Sequence, residues 1–205
     1  MNISIKLQIQ KRKIEYKNNE NNTKAKGEIS MDFTGKNIIV TGGASGIGKA
    51  IATGVVEGGG HAIIVDLNLD AAEKLREELG KDKTSAYKVN LANSAEIREV
   101  FGKIVADFKQ IHGLINNAGI VSTVPFDEVT QAEWDKVIAI NLTGAMKVAR
   151  AALQYFLANE VKANIVMITS NAAFESVTGG PAYCASKAGA NALMKSIAFE
   201  YGRKG

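Results

Sequence analysis

The chain has 205 residues, 46% of them hydrophobic, with two prolines and one cysteine. That suffices for one domain with a sizeable core, and it excludes an internal disulfide; no apolar run approaches the roughly 18 residues that would cross a bilayer. The net charge of +4 lies in residues 1–30, with seven Lys or Arg against three Asp or Glu, which leaves 18 of each sign in the rest. A neutral folded part excludes a binder of nucleic acid through a basic surface.

Residues 1–10 alternate apolar and polar like an isolated strand, and residues 11–30 are rich in lysine and asparagine. With no continuous apolar stretch they are no secretory signal. They read as a disordered extension, or as sequence upstream of a natural start at Met31. The lone Cys184 fits a reducing, cytoplasmic location.

From Asp32 onward short apolar runs alternate with helical spacing. Asn37–Thr41 leads through glycines into a helix over Ile47–Val56. Ala62–Asp66 precedes a helix over Ala71–Leu79, and Ser85–Val89 precedes one over Ala95–Phe108. Gly113–Ile115 comes before a long helix over Gln131–Leu157. Asn164–Thr169 is a fifth run, and the last helix spans Pro181–Tyr201. Successive strand–helix–strand units with right-handed crossovers predict a doubly wound parallel sheet, the Rossmann arrangement, with helices on both faces.

The first strand-to-helix turn reads Thr41-Gly42-Gly43-Ala44-Ser45-Gly46-Ile47-Gly48. Gly42 turns the chain out of the strand, Gly46 admits a pyrophosphate to the backbone, and Gly48 lets the helix pack close to the sheet. Asp66, ending the second strand, suits the two hydroxyls of an adenosine ribose and repels a 2′-phosphate, and no Lys or Arg lies within the turn; NAD is therefore favoured over NADP. The alternative for Asp66 is a solvated strand-end carboxylate.

Tyr183 and Lys187 stand four apart at the start of the last helix and share a face. A tyrosine is a poor acid–base group at neutral pH, and an adjacent ammonium stabilises its phenolate. Ser170 follows the fifth strand, where parallel sheets line their ligand crevice. Asn141 sits inside the long helix, an ill-favoured place for asparagine. Asn116-Asn117-Ala118-Gly119 follows the fourth strand, where small residues leave room for a flat ring. Taken singly these admit plainer readings: a surface pair, a capping serine, a kinked helix, a turn.

Together, TGGASGIG, NNAG, the asparagine of INLTG and Ser170…Tyr183-x-x-x-Lys187 resemble the short-chain dehydrogenase/reductase family from Phe33 to the end. The resemblance implies Tyr183 as general acid in reduction and base in oxidation, Lys187 as its partner and holder of the nicotinamide ribose, and Ser170 as the group polarising the carbonyl. It implies that Asn141 positions a relay water. Cofactor contacts would come from Gly42, Ser45, Gly46, Ile47, Gly48, Asp66, Asn117, Gly119, Tyr183 and Lys187. Asn90 stands where many relatives bind adenine through an aspartate. Hydride passes directly between nicotinamide and a secondary alcohol or ketone, with no metal. Cys184 reads as a packed thiol, and His61 and His112 as a helix-end and a strand-start residue. The family also implies a homodimer or homotetramer through the last two long helices.

Relatives continue into a sixth strand, a proline–glycine turn, a substrate-covering segment and a seventh strand. The sequence ends before these, so the expectation is a fragment whose fifth strand is an open edge. Two alternatives stand beside an NAD-dependent secondary-alcohol dehydrogenase. One is an NADPH-dependent 3-oxoacyl-[acyl-carrier-protein] reductase; the other is a catalytically silent nucleotide-binding or interaction protein.

Overall fold

Five parallel strands form one sheet in the order β3-β2-β1-β4-β5. They are β1 (Asn37–Thr41), β2 (His61–Asp66), β3 (Thr84–Lys88), β4 (Gly113–Asn116) and β5 (Asn164–Met167). This computed structural model describes residues 31–175 and 179–204; the expectation for residues 1–30 lies outside them. The helices are α1 (Gly46–Glu57), α2 (Leu69–Leu79), α3 (Ser94–Asp107), α4 (Gln131–Ile138), α5 (Ala145–Ala158) and α6 (Pro181–Tyr201). The doubly wound expectation is met, and every predicted strand and all but one of the predicted helices are present to within a few residues at their ends.

The strand residues make two cores because side chains alternate across a sheet. Ile38, Val40, Ala62 and Ile64 face Ala52, Val55, Ala72 and Leu75 of α1 and α2. Ile39, Ile63, Val65 and Leu114 face Ile97 and Ile104 of α3 and Val148, Ala152 and Phe156 of α5. Burying side chains of this size contributes about 1.5–3 kcal/mol each. Strand order reverses between β1, which pairs β2 on one side, and β4 on the other. A doubly wound sheet binds its ligand at that switch point, beyond the carboxyl ends of the strands. β5 pairs with β4 alone among the described strands, and its Val166 is 43% exposed.

One predicted helix differs. The run from Gln131 to Leu157 is interrupted by a π-turn over Ala139–Gly144, between α4 and α5. A π-turn carries an extra residue in one helical turn, and Asn141 lies in it, 2% exposed.

The two histidines are structural. His61 opens β2, with Nε2 3.0 Å from Ser85 Oγ and its ring edge-on to Phe108. His112 precedes β4, and its Nδ1 accepts the backbone N–H of Asn37 at 3.0 Å, which requires a neutral ring. Burial holds both below the ordinary histidine value. Their depressed values make the unfolded chain the better proton binder below about pH 6.5. Stability is therefore expected to be full above that pH and to decline as pH falls through the folded-state values. Urea melts from pH 7.5 to 5 check this, and His112→Asn, which keeps an acceptor near Nδ1, should flatten the decline; a pH-independent midpoint in the parent chain would refute it.

Candidate active site at the sheet switch point

The end of β1 is pinned before any ligand is considered. Thr41 is buried, and its Oγ1 accepts the backbone N–H groups of Asn117 and Ala118 at 3.0 and 3.1 Å while donating to Asn116 Oδ1 at 3.3 Å. The Asn117 side chain donates to the carbonyls of Thr41 and Gly42, at 3.0 and 3.1 Å. Asn116 donates to Ala145 O at 2.7 Å, tying β4 to the start of α5. The two asparagines thus tie β4 and the loop after it to the end of β1 and to the start of α5.

The glycine turn follows. Gly42 has φ +61°, and a Cβ there would stand 2.8 Å from Ala118 Cα. A Cβ on Gly48 would stand 1.9 Å from Gly42 O, so α1 meets the turn with no room to spare. Asp66 braces the turn from β2: its Oδ2 accepts Ala44 N–H and its Oδ1 accepts Asn68 N–H, both at 3.0 Å. α2, α3 and α4 begin on side-chain caps from Asn68, Asn93 and Thr130. At the start of α1 the Ser45 side chain makes no cap, and the first turn holds no acidic residue. Uncapped N–H groups and the positive end of a helix dipole suit an anion. The turn, the uncapped helix and the Asp66 carboxylate therefore fit a dinucleotide.

The opposite wall is α6. Lys187 is 6% exposed; its Nζ donates to Ile168 O at 3.0 Å and lies 5.7 Å from the centre of the Tyr183 ring. Burial pushes its ammonium below the ordinary lysine value. Gly119 faces both Lys187 and Asn141, since a Cβ there would stand 3.4 Å from Lys187 Nζ and 3.2 Å from Asn141 Oδ1.

These groups enclose a cleft of about 430 Å³. Of the residues singled out in the sequence, Gly42, Ser45, Gly46, Ile47, Asp66, Asn90, Asn117, Gly119, Tyr183 and Lys187 line it. Gly48, Asn141 and Ser170 are not among the lining residues. Ser170 caps a 3₁₀ turn over Asn171–Ala173, its Oγ accepting Ala172 N–H at 3.1 Å and donating to Asn171 Oδ1 at 3.2 Å. The Asn141 amide accepts from Ile120 N, and donates to Ile120 O and Ser186 Oγ. Asn90 Oδ1 takes Ala92 N–H, leaving one lone pair. Cys184 is half-buried, its thiol 3.7 Å from Gly179 O. Among the described residues, no three His, Cys, Asp or Glu gather as a metal site, and no helix is long and apolar enough to cross a membrane.

The family model for the short chain dehydrogenases matches residues 36–205. The chain belongs to the short-chain dehydrogenase family. It is 36% identical over 184 residues to a D-threitol dehydrogenase of Mycolicibacterium smegmatis, covering 87% of this chain and 70% of that protein. It is 33% identical over 176 residues to a 3beta-hydroxysteroid dehydrogenase 2 of Eggerthella lenta, covering 84% and 68%. The crystal structure of a putative NAD(P)-dependent gluconate 5-dehydrogenase of Beutenbergia cavernae, with NADP bound at low occupancy, superposes with a TM-score of 0.80 at 29% identity, over 86% of this chain and 70% of that one.

As a short-chain dehydrogenase the protein is a nicotinamide-dependent oxidoreductase acting on CH–OH donors. Several contacts that shape its cleft carry no signal in the sequence. Thr41 and Asn116 stand in the two motifs singled out above, but the hydrogen bonds they make, to partners 75 and 29 residues away, leave no local mark. Gly179 and Gly180 look like a loop before Pro181. In the fold, a Cβ on Gly179, at φ +97°, would strike the Tyr183 ring at 2.5 Å, and Gly180 N–H donates to Ser122 O at 2.6 Å. The pair of glycines preceding a helix that carries a catalytic candidate is the one hint available.

Proposed function

We propose that residues 31–205 form a dinucleotide-binding and catalytic domain whose Tyr183, Lys187, Ser170 and Asn141 run acid–base chemistry on a secondary alcohol or ketone, with NAD as the preferred cofactor. The observation that carries the reading is Lys187, buried beside Tyr183 on the wall opposite the glycine turn. In this reading the Tyr183 hydroxyl gives a proton to the substrate oxygen in reduction and takes it in oxidation. Lys187, fixed by Ile168 O, stabilises the phenolate between those events. Ser170 has a single hydroxyl proton, directed at Asn171 Oδ1; turned to the substrate oxygen, it holds that oxygen in line with Tyr183. The Asn141 amide holds Ile120 and Ser186 and keeps one acceptor lone pair, which is left for the relay water. The start of α1 holds the pyrophosphate, Asp66 the adenosine ribose and Asn90 the adenine edge. The nicotinamide, when bound, supplies or accepts the hydride. A small polyol or sugar acid is the favoured substrate class, supported by the similarity to the threitol and gluconate enzymes.

A second reading, an NADPH-dependent reductase of the 3-oxoacyl type, has one observation in its favour. Lys88 is paired in register with Asp66, and both border a recess lined also by residues 67–70, where Lys88 offers a positive charge to a 2′-phosphate. The net effect at that recess still rests on Asp66, which touches the turn. NADH is expected to bind at least about tenfold more tightly than NADPH, because like charges facing across an interface cost several kcal/mol. Asp66→Asn should narrow that ratio about tenfold. Fluorescence titration of both nucleotides, followed by oxidation of a polyol panel with NAD and NADP, tests the reading; equal affinity of the parent chain for both nucleotides would overturn the NAD preference. Assembly into a homodimer or homotetramer through the long helices, and a cytoplasmic location, belong to the same reading; Phe199, 90% exposed on α6, is an apolar group such an interface would cover.

A further inference from the structure

We infer that Ser186 is a positioning residue: it latches the π-turn to the catalytic helix and so fixes the strap of chain that faces Tyr183 and Lys187. The inference rests on the functional reading of those two residues. Ser186 lies between them on α6 and is fully buried. Its hydroxyl has one proton, which goes to Tyr183 O at 2.7 Å, three residues back. That bond alone is ordinary helix behaviour for serine. The other bond is not local: Ser186 Oγ accepts Asn141 Nδ2–H at 3.1 Å, across 45 residues.

Asn141 passes the constraint on. It grips both backbone groups of Ile120, accepting from N–H and donating to C=O, each at 2.8 Å. Ile120 and Val121 line the cleft, and Val121 is 67% exposed there. One residue further, Ser122 O accepts the N–H of Gly180, the residue before α6. The strap is therefore held at both ends by the catalytic helix, through Asn141 and Ser186 at one end and directly at the other. Close approach supports the latch, since a Cβ on Gly189 would stand 2.9 Å from Leu142 Cδ2 in the same π-turn. Without the serine hydroxyl, one Asn141 N–H would be buried without its acceptor, and the amide would be free to turn away from Ile120. The strap would loosen while the glycine turn, on the other wall, kept its bonds.

The test is Ser186→Ala in the full chain. The Ile120 amide, followed by hydrogen exchange, should exchange about tenfold faster once its acceptor can turn. NADH affinity and KM should stay within about twofold, and kcat should fall about tenfold or more, since small displacements of reacting groups are costly. In an Asn141→Ala background the same substitution should add nothing, because the two residues act in series. Ser186→Cys, of similar size with a weaker acceptor, should fall between serine and alanine and serves if alanine fails to fold. Unchanged Ile120 exchange, or additive losses in the double variant, would overturn the latch. Absence of turnover by the parent chain on every panel substrate would count against the functional reading, and Ile120 exchange would then decide for or against the latch alone.

Discussion

Replacing Tyr183 by phenylalanine is expected to lower turnover about a thousandfold, within the range that one well-placed acid–base group contributes, while NADH binds as before. The substitution removes one oxygen and nothing else that the fold uses. The ring stays against Gly179, where an added Cβ would stand 2.5 Å from it. Lys187 remains bonded to Ile168 O, so its charge stays in place without the hydroxyl. Removing Lys187 is a different experiment: it opens a buried site and leaves Ile168 O unpaired, so lost activity would be mixed with lost stability. Steady-state rates and NADH titrations on Tyr183→Phe therefore isolate the proton transfer. A variant retaining more than a tenth of the parent rate would remove Tyr183 from the mechanism.

Tyr183 and Lys187 were legible in the sequence because a helix puts residues four apart on one face, whatever surrounds it. The glycine turn was legible for a similar reason: the demand for a missing Cβ leaves a mark at each position. Both are local rules. The π-turn was not legible, because Val137, Asn141 and Ala145 keep an apparent four-residue spacing that a plain helix also satisfies. What drives the extra residue is tertiary: Asn141 must reach Ile120 and Ser186, which lie 21 and 45 residues away. Ser170 shows the same limit from the other side. Its residue type fits both a cap and a substrate contact, and the fold uses the oxygen as a cap while its hydroxyl donates to the Asn171 amide oxygen.

Gly48→Ala and Gly46→Ala are expected to separate two jobs that one motif performs. At Gly48 a Cβ would stand 1.9 Å from Gly42 O and 2.7 Å from Asn117 Nδ2. The obstructing oxygen is backbone, and the amide is itself bonded to Gly42 O and Thr41 O, so neither can yield without opening the turn. Overpacking of this kind costs about 3 kcal/mol or more, and the loss should appear as a lower urea midpoint together with lost NADH binding. At Gly46 the added carbon meets nothing within 4 Å, and the penalty is the left-handed φ of +51°, about 1 kcal/mol for a residue with a side chain. Its stability should therefore drop little. The carbon would nonetheless enter the space where backbone approaches a pyrophosphate at the uncapped start of α1, so NADH affinity should fall at least tenfold, well beyond the stability loss. A Gly46→Ala chain that bound NADH like its parent would show that the cofactor does not lie against this turn. A Gly48→Ala chain that melted like its parent would mean that α1 can move away from the sheet, contrary to the packing that closes the turn.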